Sequence, residues 1–289
     1  MPQRITGHTE LIGLIAKPIR HSKSPMMHNT AFEALGLDYA YLVFEVDGEN
    51  LKPAVEGLRA LGVRGFIVSM PLKSAIIPYL DEIMPAGQLC QAVNTVVNEN
   101  GRLIGTSTDG EGFMTGCRDA GIDLTGKKVT LLGAGGAGTA VAMQMGLDGV
   151  GELSIFNRDG ASWARAQENA EKLNTRTGCR AAAYRLEDTE RLREEIASSA
   201  MLVNATSAGF GGQTGSCPIP DASYLRADLV VADVIYIPEK TALLEMAESV
   251  GCRTMNGLGM MLYQGAAAFK LWTGRDMPID AVKAALSDT

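Results

Sequence analysis

Hydrophobic and polar positions follow a strand–helix–strand rhythm over the first seventy or so residues. A nearly unbroken apolar run at 10–16 predicts a buried strand, and apolar residues at helical spacing over 25–35 predict a helix that ends at Gly36. The elements predicted next are a strand at 39–46, a helix at 51–61 and a strand at 65–69. This alternation predicts an α/β fold with a mainly parallel sheet.

A second series of apolar strands begins at Lys127 with KKVTLLGAGGAG and continues through the segments LSIFNRD, MLVNATSAG and LVVADVIY, with strands ending in turns rich in Gly, Asn, Thr or Asp. A helical stretch at 112–120 separates the two series, and a strongly helical tail covers 260–272. We therefore expect an N-terminal α/β domain at 1–110, a second domain at 111–256, and C-terminal helices at 257–289 that return to the first domain.

Composition narrows the class of protein. The 289 residues carry 33 acidic and 26 basic side chains, a net charge of -7 without a basic run, which argues against a nucleic-acid partner. The five cysteines lie far apart without a CxxC pair, so we expect reduced, mostly buried thiols and no metal site. The sequence lacks a signal-peptide pattern and a membrane-length apolar stretch, so a cytoplasmic setting is expected.

A glycine-rich turn follows the first strand of the second series. Gly133, Gly135 and Gly138 fit GxGxxG, with an apolar strand before them and a helical segment after them. In such a turn the first glycine allows a tight bend, the second lets a pyrophosphate approach the backbone, and the third lets helix and strand pack closely. The pattern predicts a Rossmann dinucleotide-binding domain; the alternative is a small-residue turn without a ligand.

The residues that end the next strand are the ones that would choose the cofactor. Asn157, Arg158 and Asp159 stand where a Rossmann unit distinguishes a ribose hydroxyl from a 2′-phosphate. An acid accepts hydrogen bonds from the diol, whereas an arginine attracts phosphate. We expect NAD, with NADP as the alternative, because Arg158 can stack on adenine and leave Asp159 facing the ribose. Asp159 as a helix N-cap is the structural alternative.

A hydride transfer to a ketone needs a proton donor, and the chain has only three histidines. Lys73 follows the predicted strand at 65–69, and Asp109 is expected to end the last strand of the first domain. A lysine and a carboxylate that converge at one sheet edge can act as an acid–base pair. A surface salt bridge is the alternative explanation.

Motifs in register along nearly the whole chain resemble those of the shikimate dehydrogenase family, and most closely its quinate/shikimate dehydrogenase branch. They are SKSPMMHN at 22–29, VSMPLK at 68–73, AVNT at 92–95, STDG at 107–110, GAGGAG at 133–138, FNR at 156–158, NATSAG at 204–209, DVIYIP at 233–238 and GMMLYQGA at 259–266.

The resemblance implies an NAD(P)-dependent oxidoreductase that interconverts shikimate and 3-dehydroshikimate, or quinate and 3-dehydroquinate. It implies that the first domain binds substrate, that Lys73 and Asp109 are catalytic, and that His28 is structural. The implied substrate residues are Ser22 and Ser24 for the carboxylate, and Ser69, Asn94, Tyr236 and Gln264 for the ring hydroxyls. The implied cofactor residues are Gly133, Ala134, Gly135, Gly136, Ala137, Asn157, Arg158, Asp159, Thr206, Val234 and Gly257.

The chain departs from the family pattern at two points that bear on specificity. Ile67 stands where Asn is usual, which removes a polar ring contact and weakens the case for strict shikimate selectivity. Asp159 and Gly160 replace the Thr and basic residue common in members strict for NADP, which favours NAD. The rival functions are activity on another hydroxylated ring acid and a non-catalytic dinucleotide sensor. A homodimer is expected if the apolar strand at 39–46 pairs at a sheet edge; a core position explains that strand equally well.

Overall fold

The computed structural model describes residues 5–287 with the exception of 161 and 214. Backbone contacts divide the chain into two compact units. The first unit contains the residues up to Thr108 together with those from Gln264 onward, and the second is Asp109–Tyr263. Each unit is built on a six-stranded sheet.

The sheet of the first unit is parallel on one side and mixed on the other. Its strands are β1 (Glu10–Ala16), β2 (Tyr39–Glu45), β3 (Gly65–Val68), β4 (Glu82–Ile83), β5 (Thr95–Glu99) and β6 (Arg102–Thr106). Their order is β2-β1-β3-β5-β6-β4, and β5 runs antiparallel to both of its neighbours. The hairpin between β5 and β6 turns at Asn100 and Gly101, which both have positive φ, as a tight two-residue hairpin turn requires.

Helices cover this sheet and supply its core. They are α1 (Ser24–Leu35), α2 (Leu51–Ala60) and α3 (Pro85–Cys90), together with two C-terminal helices given below. Phe66, Leu72 and Val96 are almost completely buried in the apolar cluster beneath α2. Burial of side chains of this size is worth roughly 1.5–3 kcal/mol each and fixes which face of the sheet the helices cover.

The second unit has an entirely parallel sheet among its described strands. They are β7 (Lys128–Leu132), β8 (Glu152–Asn157), β9 (Arg180–Arg185), β10 (Met201–Asn204), β11 (Val230–Asp233) and β12 (Arg253–Met255). Their order is β12-β11-β10-β7-β8-β9, so the direction of winding reverses between β7 and β10. This is the doubly wound Rossmann arrangement, in which ligands bind beyond the carboxyl ends of the strands at that reversal.

The helices of the second unit connect these strands. They are α4 (Asp109–Asp119), α5 (Gly136–Leu147), α6 (Trp163–Arg176), α7 (Thr189–Ser198) and α8 (Ala242–Val250). The chain continues through α9 (Leu258–Thr273), whose last residues belong to the first unit, and α10 (Ile279–Ser287). Within the first unit the indole of Trp272 on α9 donates a hydrogen bond to the Val96 carbonyl at 3.0 Å.

The predicted fold class is confirmed, and the strands and helices predicted for the first seventy residues lie within one or two residues of the observed ones. One local prediction is wrong: Asp109 does not end a strand, because β6 stops at Thr106 and Asp109 is the first residue of α4. The side chain of Asn94 accepts the Thr108 backbone N–H at 2.8 Å, which takes the chain out of the β ladder. An acidic residue in the first turn of a helix is then favoured by the helix dipole.

The apolar strand β2 lies at the edge of its sheet, and Leu42 on it is 51% exposed. Its middle is nevertheless protected, because Asn29 on α1 accepts the Tyr41 N–H at 2.8 Å and donates to the Tyr41 carbonyl at 3.1 Å. Asn174 on α6 does the same for Ala181 on the edge strand β9 of the other sheet, at 2.9 and 2.8 Å. An asparagine amide therefore occupies backbone groups that a second strand would need for pairing.

Candidate active site

Ser22 and Ser24 lie where the loop after β1 enters α1. The backbone N–H of Ser24 donates to the Ser22 hydroxyl oxygen at 3.2 Å. Ser24 is the first residue of α1, is buried, and is followed by Pro25, which suits the first turn of a helix. Two hydroxyl groups at a helix N-terminus form a favourable place for a carboxylate.

Asn94 and Gln264, predicted far apart in the sequence to hold ring hydroxyls, are brought together in the first unit. The Asn94 amide nitrogen donates to the Gln264 side-chain oxygen at 3.3 Å and to the Thr108 hydroxyl at 3.0 Å. The Thr95 hydroxyl donates to the Asn94 side-chain oxygen at 3.0 Å. The sequence prediction missed Thr95 and Thr108, although both belong to the motifs AVNT and STDG and could have been found there.

Lys73 and Ser69 are held in one tight turn after β3. The Ser69 N–H donates to the Ile15 carbonyl at 3.1 Å, and the Ser69 carbonyl accepts the Leu72 N–H at 2.9 Å. The Lys73 carbonyl accepts the N–H of Val93, the residue before Asn94, at 2.8 Å. This backbone bond fixes the Lys73 turn beside the residues of the Asn94 cluster.

The other member of the predicted catalytic pair belongs to the second unit. Asp109 is buried at the start of α4, and Gly110 after it is packed so closely against α5 that a Cβ there would collide with the Ala140 carbonyl. The start of α4 is thus fixed within its own unit. The action of Lys73 and Asp109 as a pair stays a prediction.

The glycine turn has the backbone that its pattern predicts. Gly133 follows β7 with a φ of 100°, which favours glycine, and a Cβ there would lie 2.8 Å from the Ala205 carbonyl oxygen. A Cβ on Gly138 would collide with the Gly133 carbonyl, whereas Gly135 and Gly136 face open space. The backbone at the start of α5 is therefore open to close approach, as the pyrophosphate of a dinucleotide requires.

Asn157, predicted to contact the cofactor, supports this turn from within the protein. Its side-chain oxygen accepts the Ala134 N–H at 3.0 Å, and its amide nitrogen donates to the Ser162 hydroxyl at 2.8 Å and the Arg158 carbonyl at 3.0 Å. The amide thus links the glycine turn to the loop before α6. The turn is held in place by this link.

Asp159 is exposed beyond the end of β8 and is paired with Arg185. The Arg185 guanidinium holds the pKa of the Asp159 carboxyl below its usual value. The same guanidinium lies 4.6 Å above the ring of Trp163, which fixes its position. Ser162 is the residue that precedes α6, so the alternative of Asp159 as the helix N-cap is wrong.

The remaining predicted cofactor residues follow the carboxyl ends of β10 to β12. The Thr206 N–H and hydroxyl both donate to the Asn204 side-chain oxygen, at 3.0 and 2.7 Å. The Val234 N–H donates to the Asn204 carbonyl at 3.0 Å, and a Cβ on Gly257 would collide with the Val234 carbonyl. Because the strands are parallel, these residues share a sheet edge with the glycine turn.

Asp233 anchors that edge from inside. It accepts hydrogen bonds from the Asn204 amide at 3.0 Å and the Thr241 hydroxyl at 2.8 Å, and burial raises the pKa of its carboxyl. Tyr236, predicted to contact the substrate ring, lies three residues further on in the second unit. Burial raises the pKa of its phenol, so it is a neutral hydrogen-bonding group, and its contact with substrate stays a prediction.

The described part of the chain offers neither a metal site nor a membrane span. No group of three or more His, Cys, Asp or Glu side chains is placed to hold a metal ion there. None of the described helices is both long and apolar enough to cross a membrane. The five cysteines, all of them in the described part of the chain, form no disulfide, and four of them are buried, which agrees with the prediction of mostly buried thiols.

Two family models match the chain: the shikimate dehydrogenase substrate binding domain at residues 14–96 and the shikimate 5'-dehydrogenase C-terminal domain at 257–286. The shikimate dehydrogenase (NADP(+)) of Listeria innocua serovar 6a is 56% identical over 281 residues, which cover 97% of both chains. The shikimate 5-dehydrogenase from Listeria monocytogenes, solved in complex with shikimate and NAD, is 55% identical with a TM-score of 0.94 over 99% of each chain.

A quinate dehydrogenase from Corynebacterium glutamicum, solved in complex with NAD, is 30% identical with a TM-score of 0.87, covering 97% of this chain and 99% of that one. These similarities extend over both units. The chain belongs to the shikimate dehydrogenase family of oxidoreductases.

Proposed function

We propose that the protein is an NAD(P)-dependent shikimate dehydrogenase that interconverts shikimate and 3-dehydroshikimate by hydride transfer. The observation that carries this proposal is the match, over 99% of both chains, to a relative solved with shikimate and NAD. The first unit supplies the hydroxyl and amide groups suited to a polyhydroxy acid, and the second supplies the glycine turn suited to a dinucleotide. We assign substrate binding to the first unit and cofactor binding to the second.

The substrate residues of the first unit divide by the group they recognise. Ser22 and Ser24 hold the carboxylate through their hydroxyl groups at the start of α1. Asn94 and Gln264 hold ring hydroxyls, with Thr95 and Thr108 orienting the Asn94 amide. Amide and hydroxyl groups that are left unpaired by a wrong substrate give strong discrimination, which suits a ring that carries several hydroxyls.

Lys73 carries the proton in this proposal. When bound, the nicotinamide ring supplies or accepts the hydride. The Lys73 Nζ donates a proton to the developing alkoxide in reduction and takes it back in oxidation. We assign Asp109 as the second residue of this acid–base pair.

Replacement of Lys73 tests this assignment. We expect Lys73→Ala to lower kcat for shikimate oxidation by roughly 10²- to 10⁴-fold, the usual contribution of a general acid–base, with the Kd for shikimate nearly unchanged. Lys52→Ala is the matched control, because Lys52 is an exposed lysine of the same unit that pairs with Glu56. Loss of shikimate binding with turnover per bound substrate preserved would reverse the role of Lys73.

Quinate is a second candidate substrate, and Ile67 is the observation that favours it. Ile67 is buried in β3, in register with Leu14 and Thr95, where a family asparagine would offer a polar group. An isoleucine cannot hydrogen-bond a ring hydroxyl, so a substrate with a different hydroxyl pattern leaves no polar group of residue 67 unpaired. Steady-state kinetics of shikimate and quinate, each with NAD and NADP, decide between the two substrates; a wild type that turns over neither would refute the proposed function.

For the cofactor we propose a preference for NAD with NADP accepted. Asp159 is charged and held by Arg185, so it can accept hydrogen bonds from a ribose diol and repel a 2′-phosphate.

We expect Asp159→Ala to raise the ratio of kcat/KM for NADP over NAD roughly tenfold. Asp228→Ala is the control. Asp228 is an exposed aspartate paired with Arg226 at 2.9 Å, and it precedes β11, so it lies at the amino ends of the strands and away from the glycine turn. An unchanged ratio in Asp159→Ala would remove Asp159 from cofactor selection.

A further inference from the structure

A buried aromatic cluster lies beneath the first turn of α1. His28 of α1 stacks on Tyr41 of β2 with ring centroids 4.5 Å apart and an interplanar angle of 10°. Trp272 lies 5.3 Å from His28 in a tilted arrangement, and Phe269 lies 6.2 Å away. His28, Tyr41, Phe269 and Trp272 are completely buried. The cluster joins α1, β2 and α9 within the first unit.

Two polar side chains in this cluster are not used by the mechanism above. Neither ring nitrogen of His28, nor the hydroxyl of Tyr41, makes a hydrogen bond of good geometry to another described residue. A buried polar group without a partner costs about 1–3 kcal/mol. A hydroxyl that is kept there at such a cost calls for a partner in the functional state.

Tyr41 is fixed firmly enough to aim its hydroxyl. Asn29 holds both backbone groups of Tyr41, at 2.8 and 3.1 Å, and His28 covers the face of its ring. Both residues belong to the helix whose first turn carries Ser24. Because His28 follows Ser24 by one helical turn, the side chains of Ser24 and His28 lie on the same face of α1. The ring of Tyr41 lies against that face.

Ser24 is the polar side chain next to Tyr41 on this face of α1, because it is buried and precedes by one helical turn the His28 ring that stacks on Tyr41. Burial raises the pKa of the Tyr41 phenol, so Tyr41 remains a neutral donor. His28 does not compete for this hydroxyl, because a stacked imidazole presents its face and keeps its nitrogen lone pairs in its own plane. Burial lowers the pKa of His28 to about 3, so no positive charge faces Tyr41 from this side.

The oxygen of the other serine already accepts one hydrogen bond from the protein, since Ser22 Oγ accepts the backbone N–H of Ser24 at 3.2 Å. We propose that Tyr41 is a positioning residue that donates its hydroxyl hydrogen to Ser24 Oγ, so that the Ser24 hydroxyl is left to donate to the substrate carboxylate. This inference rests on the proposed function, which assigns the carboxylate to Ser22 and Ser24.

The arrangement selects for a negatively charged ligand group. When the oxygen of each serine accepts a hydrogen bond from the protein, each hydroxyl hydrogen is left available to the ligand, so both serines can act as donors to it. A carboxylate accepts two donors well, and hydrogen bonds to a charged group are about twice as strong as neutral ones. An ester or amide in the same place gains less from the pair.

Tyr41→Phe tests the proposal because it removes one oxygen and keeps the stacked ring. We expect the KM for shikimate to rise roughly tenfold with kcat within about twofold, the loss of one charge-assisted interaction transmitted through Ser24. The binding of shikimate methyl ester, measured as a competitive inhibitor, should change by less than about twofold. Tyr39→Phe is the matched control, since Tyr39 lies on the same strand and is only partly buried.

A double-mutant cycle separates positioning from a structural effect. In a Ser24→Ala background, Tyr41→Phe should have no further effect on KM, and an equal effect in both backgrounds would overturn the proposal. An unchanged KM in Tyr41→Phe, with an active wild type, would also overturn it while leaving the proposed function intact. A wild type inactive on shikimate would instead refute the proposed function.

If Tyr41→Phe does not fold, the wild-type protein labelled with 3-fluorotyrosine answers the same question. The ¹⁹F resonance of residue 41 should shift on addition of shikimate and not on addition of the methyl ester. This resonance is assigned by its absence in Tyr41→Leu or by elimination with the other tyrosine variants. Identical responses to the two ligands would overturn the proposal.

Discussion

One buried residue, His28, makes the free energy of unfolding of the first unit depend on pH. His28 is completely buried among aromatic rings, and burial lowers its pKa to about 3, whereas an exposed histidine titrates near 6.5. Between these two values the unfolded chain binds a proton that the folded chain does not. The contribution of His28 is therefore fully present above about pH 6.5 and is lost as the pH falls toward about 3.

His28→Phe should remove this sensitivity while keeping an aromatic ring in the cluster. Between pH 7 and pH 5 the wild type should lose about 2 kcal/mol of unfolding free energy that the variant keeps, as the linkage relation gives for these pKa values. Urea unfolding at the two pH values measures the difference. His8→Gln, at an exposed position, is the control; equal acid sensitivity of wild type and His28→Phe would show that His28 is not its source.

The elements of the second unit depend on two kinds of glycine in one turn. Gly138 packs against the Gly133 carbonyl, so Gly138→Ala should lower the unfolding free energy by roughly 2–4 kcal/mol because the backbone must shift. Gly135 precedes α5 in an ordinary extended conformation with open space around it. Gly135→Ala should therefore keep the thermal stability and raise the KM for the dinucleotide several-fold. A loss of stability in Gly135→Ala without a change in KM would remove the ligand role of that position.

The edge strands β2 and β9 are each covered at one residue by an asparagine of a neighbouring helix. Asn29→Ala frees both backbone groups of Tyr41 on β2, beside the exposed Leu42. We expect a loss of roughly 1–3 kcal/mol in stability and a concentration-dependent increase in mass, because the freed edge can pair with another chain. Thermal denaturation and light scattering measure the two effects. Asn50→Ala, in the loop before α2, is the control, and a variant that stays at the mass of the wild type at every concentration would show that Asn29 does not guard the edge.

At the scale of the whole molecule, the two units should respond to different ligands. Amide hydrogen exchange with shikimate alone should slow in 22–28 and 92–95, whereas exchange with NAD alone should slow in 133–139, because each ligand is held by its own unit in the proposed function. Mass spectrometry of peptic fragments resolves these segments. Protection of 133–139 by shikimate alone, without effect on 22–28, would contradict the division of roles.

Much of the fold could be predicted because its signals are local. The apolar run of β1, the helical spacing of α1 and the GxGxxG turn each occupy one short window of sequence, and the structure has all three. The hairpin of β5 and β6 also has a local signal, the Asn100–Gly101 pair, which the strand predictions did not use. Asp109 was misplaced for a different reason: the end of β6 depends on the Asn94 side chain, which is distant in sequence from Thr108.

The sequence by itself determined the order of strands and helices, the positions that must be glycine, and the family, because these depend on periodicity, on φ and on motifs in register. Only the tertiary structure decided that β2 is an edge strand closed by Asn29, that Asn157 is occupied in bracing the glycine turn, and that His28 is an apolar support for Tyr41. Each of these roles depends on which partner a polar group meets, and that partner comes from another element of the fold. The residue type fixes which hydrogen bonds a side chain can donate or accept, and the tertiary structure fixes which groups are its partners.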